Sequence, residues 1–205
     1  MSFLKRLLQR RNQAEEIVIV SGLPRSGTSM MMKMLEAGGI PPLTDQLRAA
    51  DADNPKGYYE FERVKKLDKG DVAWLPEARG KAVKVISALL KHLPPDYRYK
   101  VIFMRRDIAE VLASQKKMLI NRNESTDTVS DEELAKLYQK HLDQVDAWLA
   151  SQPNISVLHV SYNSLLMDPD REVVAVNRFL GGGLDLSRMV EVVDPALYRN
   201  RKQAS

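Results

Sequence analysis

The chain contains no cysteine, which excludes disulfides, cysteine-bound zinc, iron–sulfur clusters and a thiolate nucleophile. Long apolar runs are also missing: the longest wholly apolar stretches have about four to five residues, far short of the roughly eighteen that a membrane-spanning helix needs. Histidine occurs only three times, and His92, His141 and His159 lack the spacing of paired metal ligands. We therefore expect neither a membrane span nor a metal site.

The remaining composition is that of a folded globular protein. A length of 205 residues suits one α/β domain, and 44% hydrophobic with 28% charged residues leaves enough apolar side chains for a core. Ten Gly and ten Pro without a low-complexity tract argue against a disordered chain. We predict a single domain over residues 1–205 and a cytoplasmic location, because the chain start lacks the apolar core and cleavage site of a secretory signal.

The net charge of +4 comes from the ends of the chain. Seven of the 31 Lys and Arg lie in acid-free terminal segments, so residues 12–198 carry 24 of them against 27 Asp and Glu, a net charge of −3. This balance disfavours a nucleic-acid-binding surface. Residues 1–14 predict a basic amphipathic helix or tail, and residues 195–205 a basic C-terminal tail.

Short apolar strands alternate with helical patterns along the chain. This order predicts a P-loop-like, three-layer α/β fold, with a mainly parallel sheet of about four to five strands and helices on both faces. Residues 43–80 lack a clear pattern, apart from a turn at Asn54–Gly57 and an aromatic patch at Tyr58–Phe61. The predicted strands are 17–20, 82–86, 100–104 and 155–160, and the predicted helices are 30–37, 109–121, 131–151 and 171–180.

A glycine-bounded loop follows the first predicted strand. Gly22–Ser29 fits the pattern G-x-x-x-x-G-x-[ST], in which backbone N–H groups and the next helix N-terminus cradle phosphate groups. Thr28 stands where a Walker A loop has its Lys, so a γ-phosphate clamp is missing, while Arg25 inside the loop returns a positive charge. An anion site is therefore favoured over an ordinary β–α turn, and kinase or ATPase chemistry is disfavoured.

A second candidate phosphate segment lies further along the chain. The strand at 100–104 is followed by Arg105 and Arg106, and Ser114 comes about two turns into the next predicted helix. An Arg at the carboxyl end of a strand and a Ser on the following helix can converge on one phosphate. The alternative is that both arginines pair with surface acids while Ser114 lies against the helix backbone.

These segments together resemble sulfotransferases that use 3′-phosphoadenosine 5′-phosphosulfate (PAPS). Pro24–Ser29 is similar to the family's 5′-phosphosulfate loop, in the branch with Pro-Arg-Ser-Gly, and Arg106 with Ser114 resembles its 3′-phosphate segment. Residues 157–183 repeat the family's order of Tyr-x-x-Leu, Asp-Pro and Phe-Leu-Gly, so the resemblance covers roughly residues 16–183. It implies PAPS as co-substrate and no obligatory metal. The implied donor-binding residues are Arg25, Ser26, Gly27, Thr28, Ser29, Arg106 and Ser114, with Arg199 and Arg201 of the basic tail as further candidates.

The resemblance also implies in-line sulfuryl transfer to a hydroxyl or amine of a small-molecule, glycan or peptide acceptor. Arg25 is a candidate for stabilising the leaving phosphate, and Lys84 faces either the same oxygens or solvent. Two carboxylates are candidates for the general base: Asp45, which can equally cap a helix, and Glu60 in the aromatic patch. The alternatives are a P-loop small-molecule kinase and a non-catalytic nucleotide-binding module.

Overall fold

Four parallel strands form the central sheet of the computed structural model, which describes residues 16–45, 59–122 and 129–193. The strands are β1 (Ile17–Gly22), β2 (Ala82–Lys84), β3 (Tyr99–Arg105) and β4 (Ile155–Ser161), in the order β2-β1-β3-β4. The predicted parallel sheet is confirmed. β2 ends at Lys84, two residues earlier than predicted, and β3 begins and ends one residue outside its predicted range.

Alternate residues of the strands serve two separate cores. Ile17 and Ile19 of β1 belong to one buried cluster, and Val18 and Val20 belong to the other. All six residues of β1 are buried. A strand covered on both faces needs apolar side chains in both directions, and this explains the continuous β-branched run Ile17–Val20.

Helices cover both faces of the sheet, as predicted. Helices α2 (Ile108–Asn121) and α3 (Asp131–Ala150) contribute buried residues to the cluster around Ile17 and Ile19. The opposite face is covered by α1 (Thr28–Ala37), α4 (Tyr162–Met167), α5 (Pro169–Leu180) and α6 (Leu186–Glu191). Met31, Met32 and Met34 of α1 are fully buried in this second cluster.

The weakly patterned region contains short 3₁₀ helices at Glu62–Lys69 and Leu75–Ala78, and a third covers Ser87–His92. Trp74 is buried at 1% exposure in this region, as a packing residue. The predictions for residues 1–14, the turn at 54–57 and the tail at 195–205 lie outside the described residues. Among the helices of the described ranges, none combines the length and apolarity needed to cross a bilayer.

Local signals explain where the helices begin and end. Ser130 accepts a hydrogen bond from the Glu133 backbone while the Glu133 carboxylate accepts one from the Ser130 N–H, a capping box that begins α3. Gly181 adopts φ 94° immediately after α5, the left-handed conformation expected of a helix-ending glycine.

The order of the strands defines a crevice at one edge of the sheet. The helix after β1 covers one face, whereas the helices after β3 cover the other, although β1 and β3 are neighbours. Connections that leave adjacent parallel strands toward opposite faces open a crevice at the carboxyl ends of those strands, where doubly wound sheets bind ligands. The loops after β1 and β3 carry the two predicted phosphate segments.

Candidate active site

The loop after β1 is closed by its own backbone and by one buried serine. The Ser26 hydroxyl donates a 2.7 Å hydrogen bond to the Leu23 carbonyl, and the Ser26 N–H donates to the same oxygen at 3.2 Å. Ser26 is 1% exposed, so its side chain holds the loop from within. Gly22 has φ 150°, and a Cβ there would lie 2.7 Å from the Met104 carbonyl oxygen, so only glycine lets the loop approach β3 this closely.

Gly27 turns the loop into helix α1. It has φ 99°, and its carbonyl accepts the first helical hydrogen bond, from the Met31 N–H at 3.1 Å. A Cβ at Gly27 would lie 2.5 Å from Cδ2 of Tyr162, the first residue of α4. Thr28 and Ser29 form the start of the first turn, where backbone N–H groups point out of the helix toward the crevice.

Arg25 connects this loop with helix α2. Its backbone has φ 69°, a left-handed conformation that is uncommon outside glycine. Its Nε donates a 3.0 Å hydrogen bond to the Oγ of Ser114, which is 5% exposed. Ser114 therefore contacts the loop after β1, and not the helix backbone alone as the alternative prediction had it.

Arg106, directly after β3, is held by three partners. Its Nη1 donates to the Arg25 carbonyl at 3.1 Å, and its Nε donates to Glu110 Oε2 at 3.0 Å. Its guanidinium carbon lies 4.4 Å from the centre of the Tyr162 ring, a cation–π distance. Burial raises the pKa of the Tyr162 phenol, which stays neutral against the arginine.

Arg105, the neighbouring residue, lies among different partners. It forms an ion pair with Asp146 of α3, and its Nε lies 3.3 Å from Nδ1 of His159. Its guanidinium carbon is 4.6 Å from the centre of the Phe103 ring. Of the two consecutive arginines, Arg106 is the one that contacts the loop after β1. Arg105 pairs with a partly exposed acid, Asp146, whereas the acid partner of Arg106, Glu110, is buried.

Lys84 reaches the start of α1 from the end of β2. Its Nζ lies 3.4 Å from Ser29 Oγ and 4.0 Å from Glu60 Oε1, and its side chain is 11% exposed. Of the two predicted orientations of Lys84, the side chain therefore adopts the one directed at the loop and not the one directed at solvent. Glu60 also lies 3.4 Å from Lys65 Nζ. A row of polar atoms therefore runs from Glu60 through Lys84 to the first turn of α1.

Asp45 holds the segment that carries Glu60. Its Oδ2 accepts a 2.6 Å hydrogen bond from the Glu62 N–H, at the start of a 3₁₀ helix, and its own N–H donates to the Glu60 carbonyl at 3.4 Å. Thr44 donates its hydroxyl to the same carbonyl at 2.8 Å. The alternative N-cap role of Asp45, for a helix that would begin after it, concerns residues that lie outside the described ranges.

The structure thus brings together Arg25, Gly27, Thr28, Ser29, Lys84, Arg106 and Ser114, while Arg199 and Arg201 lie outside the described residues. Sequence reasoning missed Glu110 and Asn163. Glu110 lies in the first turn of α2, four residues after Arg106, but Arg106 precedes the helix, so the i,i+4 rule for helices gave no signal for this ion pair. No sequence signal connects Asn163 with either residue. Within the described ranges, no group of three or more His, Asp or Glu side chains is arranged to hold a metal ion.

Comparison with known protein families identifies one family for this chain. The sulfotransferase domain model matches residues 15–205. No curated protein sequence matches the chain.

Three solved sulfotransferase structures have the same fold as the chain. The chain is 16% identical to a sulfotransferase from Mycobacterium tuberculosis H37Rv, covering 94% of this chain and 74% of that one, with a TM-score of 0.58. It is 18% identical to a mouse sulfotransferase complexed with PAP, over 87% of this chain and 64% of that one, with a TM-score of 0.56. It is 16% identical to the sulfotransferase domain of the Synechococcus PCC 7002 olefin synthase, over 91% of this chain and 83% of that one, with a TM-score of 0.52. At these identities the likeness concerns the fold.

Proposed function

Since the chain belongs to the sulfotransferase domain family, whose model matches residues 15–205, we propose that it transfers the sulfuryl group of PAPS to a hydroxyl or amine of an acceptor. The observation that carries this proposal is the joining of two distant segments at one crevice. Arg25 in the loop after β1 contacts Ser114 on α2, and Arg106 after β3 contacts the Arg25 backbone. PAPS carries a phosphosulfate at one end and a 3′-phosphate at the other, and two adjacent anion sites match that distribution of charge.

The loop after β1 would hold the phosphosulfate end. The first-turn N–H groups of α1 offer hydrogen bonds in a fixed direction, and the positive end of the helix dipole favours an anion there. Arg106 and Ser114 would hold the 3′-phosphate, one as a charged donor and the other as a neutral donor. The two described contacts of Arg106 use two of the five N–H donors of a guanidinium, so further donors are left for an oxyanion.

The transfer itself is a displacement at sulfur. The acceptor oxygen or nitrogen forms a bond to sulfur while the bond from sulfur to the bridging phosphate oxygen breaks. The electron pair of that bond leaves with 3′,5′-adenosine bisphosphate (PAP), and the proton of the acceptor passes to a base. Negative charge therefore grows on the leaving phosphate, where the Lys84 ammonium, the start of α1 and Arg25 would stabilise it. These protein cations take the part that a metal ion plays in many phosphoryl transfers.

Glu60 is the better supported general base of the two candidates. Its carboxylate lies 4.0 Å from Lys84, whose ammonium is 3.4 Å from Ser29 at the start of α1, so it adjoins the proposed transfer point. The Asp45 carboxylate is engaged by the Glu62 N–H at 2.6 Å. We therefore propose that Asp45 positions the Glu60 segment while Glu60 accepts the acceptor proton.

Calorimetry with PAP in metal-free buffer tests the nucleotide. We expect saturable binding that Arg106→Ala weakens by about 10- to 100-fold, because hydrogen bonds to charged groups are lost. Arg105→Ala is the matched control, since this neighbouring arginine pairs with Asp146 and His159. A preference for Mg-ATP over PAP would contradict the proposal and favour the kinase alternative.

Transfer of labelled sulfate from PAPS across a panel of hydroxyl and amine acceptors tests the reaction. We expect the wild-type chain to label at least one acceptor, and a Glu60→Gln variant that still binds PAP to label it at least about 100-fold more slowly. Binding of PAP without transfer to any acceptor of the panel would favour the non-catalytic nucleotide-binding module instead.

A further inference from the structure

We infer that Glu110 is a positioning residue of the proposed nucleotide site, which fixes Arg106 and, through Arg106, the loop after β1. This inference rests on the proposed function. Glu110 lies in the first turn of α2, four residues after Arg106, which precedes the helix, and one turn before Ser114. A carboxylate beside a site for a highly anionic nucleotide is electrostatically unfavourable, so its presence calls for a reason.

The burial of Glu110 excludes an ordinary surface ion pair. Its side chain is 3% exposed and that of Arg106 is 7% exposed. Taking a carboxylate out of water is costly unless hydrogen bonds and an opposite charge compensate it. Both of its oxygens have partners: Oε2 accepts from Arg106 Nε at 3.0 Å, and Oε1 accepts from Asn163 Nδ2 at 3.2 Å.

These contacts place the Arg106 guanidinium between three elements. Glu110 of α2 accepts from its Nε, its central carbon lies 4.4 Å from the centre of the Tyr162 ring of α4, and its Nη1 donates to the Arg25 carbonyl. A guanidinium is planar and rigid, so fixing two of its nitrogens fixes the direction of its remaining donors. The Glu110 contact therefore determines how Arg106 is presented to a phosphate.

The contacts also close a ring through the loop. Arg106 holds the backbone carbonyl of Arg25, a residue with φ 69°, and the Arg25 side chain returns to Ser114 on the same helix as Glu110. A left-handed non-glycine residue costs about 1–2 kcal/mol and persists when its surroundings hold it. Without Glu110, the Arg106 guanidinium loses the hydrogen bond that fixes its Nε, and its Nη1 is then no longer held as a donor to the Arg25 carbonyl.

The sign of a substitution effect separates positioning from charge. If Glu110 acted only through its negative charge, Glu110→Gln would remove a repulsion and tighten the binding of PAP. If Glu110 positions Arg106, the same variant weakens binding, because a neutral amide oxygen is a poorer acceptor for the guanidinium. Gln keeps the size of the side chain and can still accept one hydrogen bond, so it is the mildest available change.

The experiment measures PAP binding by calorimetry for the wild-type chain and for Glu110→Gln. We expect about tenfold weaker binding in the variant. Asp146→Asn is the matched control: it neutralises the acid partner of Arg105, and we expect its PAP affinity to stay within about twofold of the wild type. Equal or tighter binding by a folded Glu110→Gln variant would overturn the inference.

A double-mutant cycle with Arg106→Ala tests whether Glu110 acts through Arg106. We expect Glu110→Gln to cause no further loss of PAP affinity in the Arg106→Ala background, since the residue to be positioned is gone. Additive losses would overturn the inference. Melting temperatures identify folded variants; if Glu110→Gln does not fold, Asn163→Ala, which removes the second partner of Glu110, is measured in its place, and unchanged affinity there counts against the inference.

Steady-state kinetics add a second readout. Mispositioning of Arg106 raises the KM for PAPS and leaves the KM for the acceptor unchanged, whereas a general loss of folded protein lowers the apparent kcat alone. Failure of the proposed function can be told apart from failure of this inference. If the wild-type protein binds no PAP, both are overturned. If the wild-type protein and Glu110→Gln bind PAP equally tightly, only the positioning role of Glu110 is overturned.

Discussion

Arg25 and Ser114 lie 89 positions apart in the sequence, and the arginine Nε donates a 3.0 Å hydrogen bond to the serine Oγ. This contact joins the loop after β1 to the helix after β3. The two loops belong to neighbouring strands, so the parallel arrangement of the sheet brings their ends to the same edge. This neighbourhood supports the proposed site for a nucleotide that carries both a phosphosulfate and a 3′-phosphate.

Ser114→Ala is expected to weaken PAP binding by about tenfold, because the change removes the proposed donor for the 3′-phosphate and the acceptor of Arg25 Nε. Ser21→Ala is the matched control. Ser21 is buried at the carboxyl end of β1, and its hydroxyl has no hydrogen-bond partner among the described residues. Its PAP affinity should stay within about twofold of the wild type, measured by the same calorimetry. Equal losses in both variants would show that the effect is not specific to the Arg25 contact.

Lys84→Met is expected to lower kcat by about 100-fold, since removal of one preorganised charge at the leaving group has effects of this order. Methionine keeps the apolar stem of the buried side chain. Lys81→Met is the control, because Lys81 immediately precedes β2 and lies 3.6 Å from Glu77, at the other end of the strand. Single-turnover transfer of labelled sulfate measures both variants. A Lys84→Met enzyme with wild-type kcat would remove Lys84 from the proposed mechanism.

Glu60→Gln and Asp45→Asn are expected to differ in kind. Glu60→Gln removes the proposed base and should reduce kcat by about 10²- to 10⁴-fold with PAP affinity retained. Asp45→Asn keeps an oxygen that can accept from the Glu62 N–H, so we expect a smaller loss of kcat. The pH dependence of kcat for an acceptor hydroxyl checks the assignment, because loss of the base removes its acidic limb. The reverse order of effects would assign the base to Asp45.

Gly27→Ala is expected to destabilise the protein more than Gly39→Ala. Both glycines flank α1 with left-handed φ values of 99° and 105°, so both changes carry backbone strain of about 1–2 kcal/mol. Only at Gly27 would the new Cβ meet another residue, at 2.5 Å from Tyr162, whereas no atom lies within 4 Å at Gly39. Chemical denaturation should therefore give a further loss of about 1–3 kcal/mol for Gly27→Ala. Equal losses would mean that the Tyr162 ring moves aside freely.

His141 is expected to make the stability depend on pH. Its Nε2 lies 2.8 Å from the hydroxyl of Ser87, and burial, followed by the charge of Lys91, lowers its pKa below the ordinary value of 6.5. The unfolded chain therefore binds this proton more readily, so the stabilisation is complete above about pH 6.5 and is lost as the pH falls through the lower, folded-state pKa. His141→Gln should flatten the fall in melting temperature between about pH 7.5 and about pH 5. An unchanged slope would assign the pH dependence to other groups.

Most of the fold could be predicted because its strands are short apolar runs between clear breakers. The run Ile17–Val20 and the glycine-bounded loop behind it fall in β1 and the turn that follows. Helices α4 and α6 were not predicted, since each has six residues and cannot display a helical period. The 3₁₀ helices between residues 62 and 92 were missed for the same reason.

The candidate site could be predicted in its parts but not in its connections. Arg25, Arg106 and Ser114 were each identified from local patterns, whereas the pairing of Arg25 with Ser114 joins residues from different segments. Lys84 was left between two orientations, because a strand residue has two faces and an isolated three-residue strand does not say which of them is covered. The orientation of Lys84 is set by the fold, which places the start of α1 beside the end of β2.

The sequence by itself determined the order of the four strands and of the longer helices α1, α2, α3 and α5, the glycines at which the loop after β1 turns, and the cationic residues that follow β1 and β3. These are properties of short segments, set by side-chain size, backbone freedom and hydrogen-bonding groups. Only the tertiary structure decided that Glu110 is buried behind Arg106, that Asp45 holds the start of a later helix, and that Tyr162 closes on Gly27. The physical reason is that burial and charge pairing depend on which distant elements pack together, and the sequence pattern of one element does not contain that information.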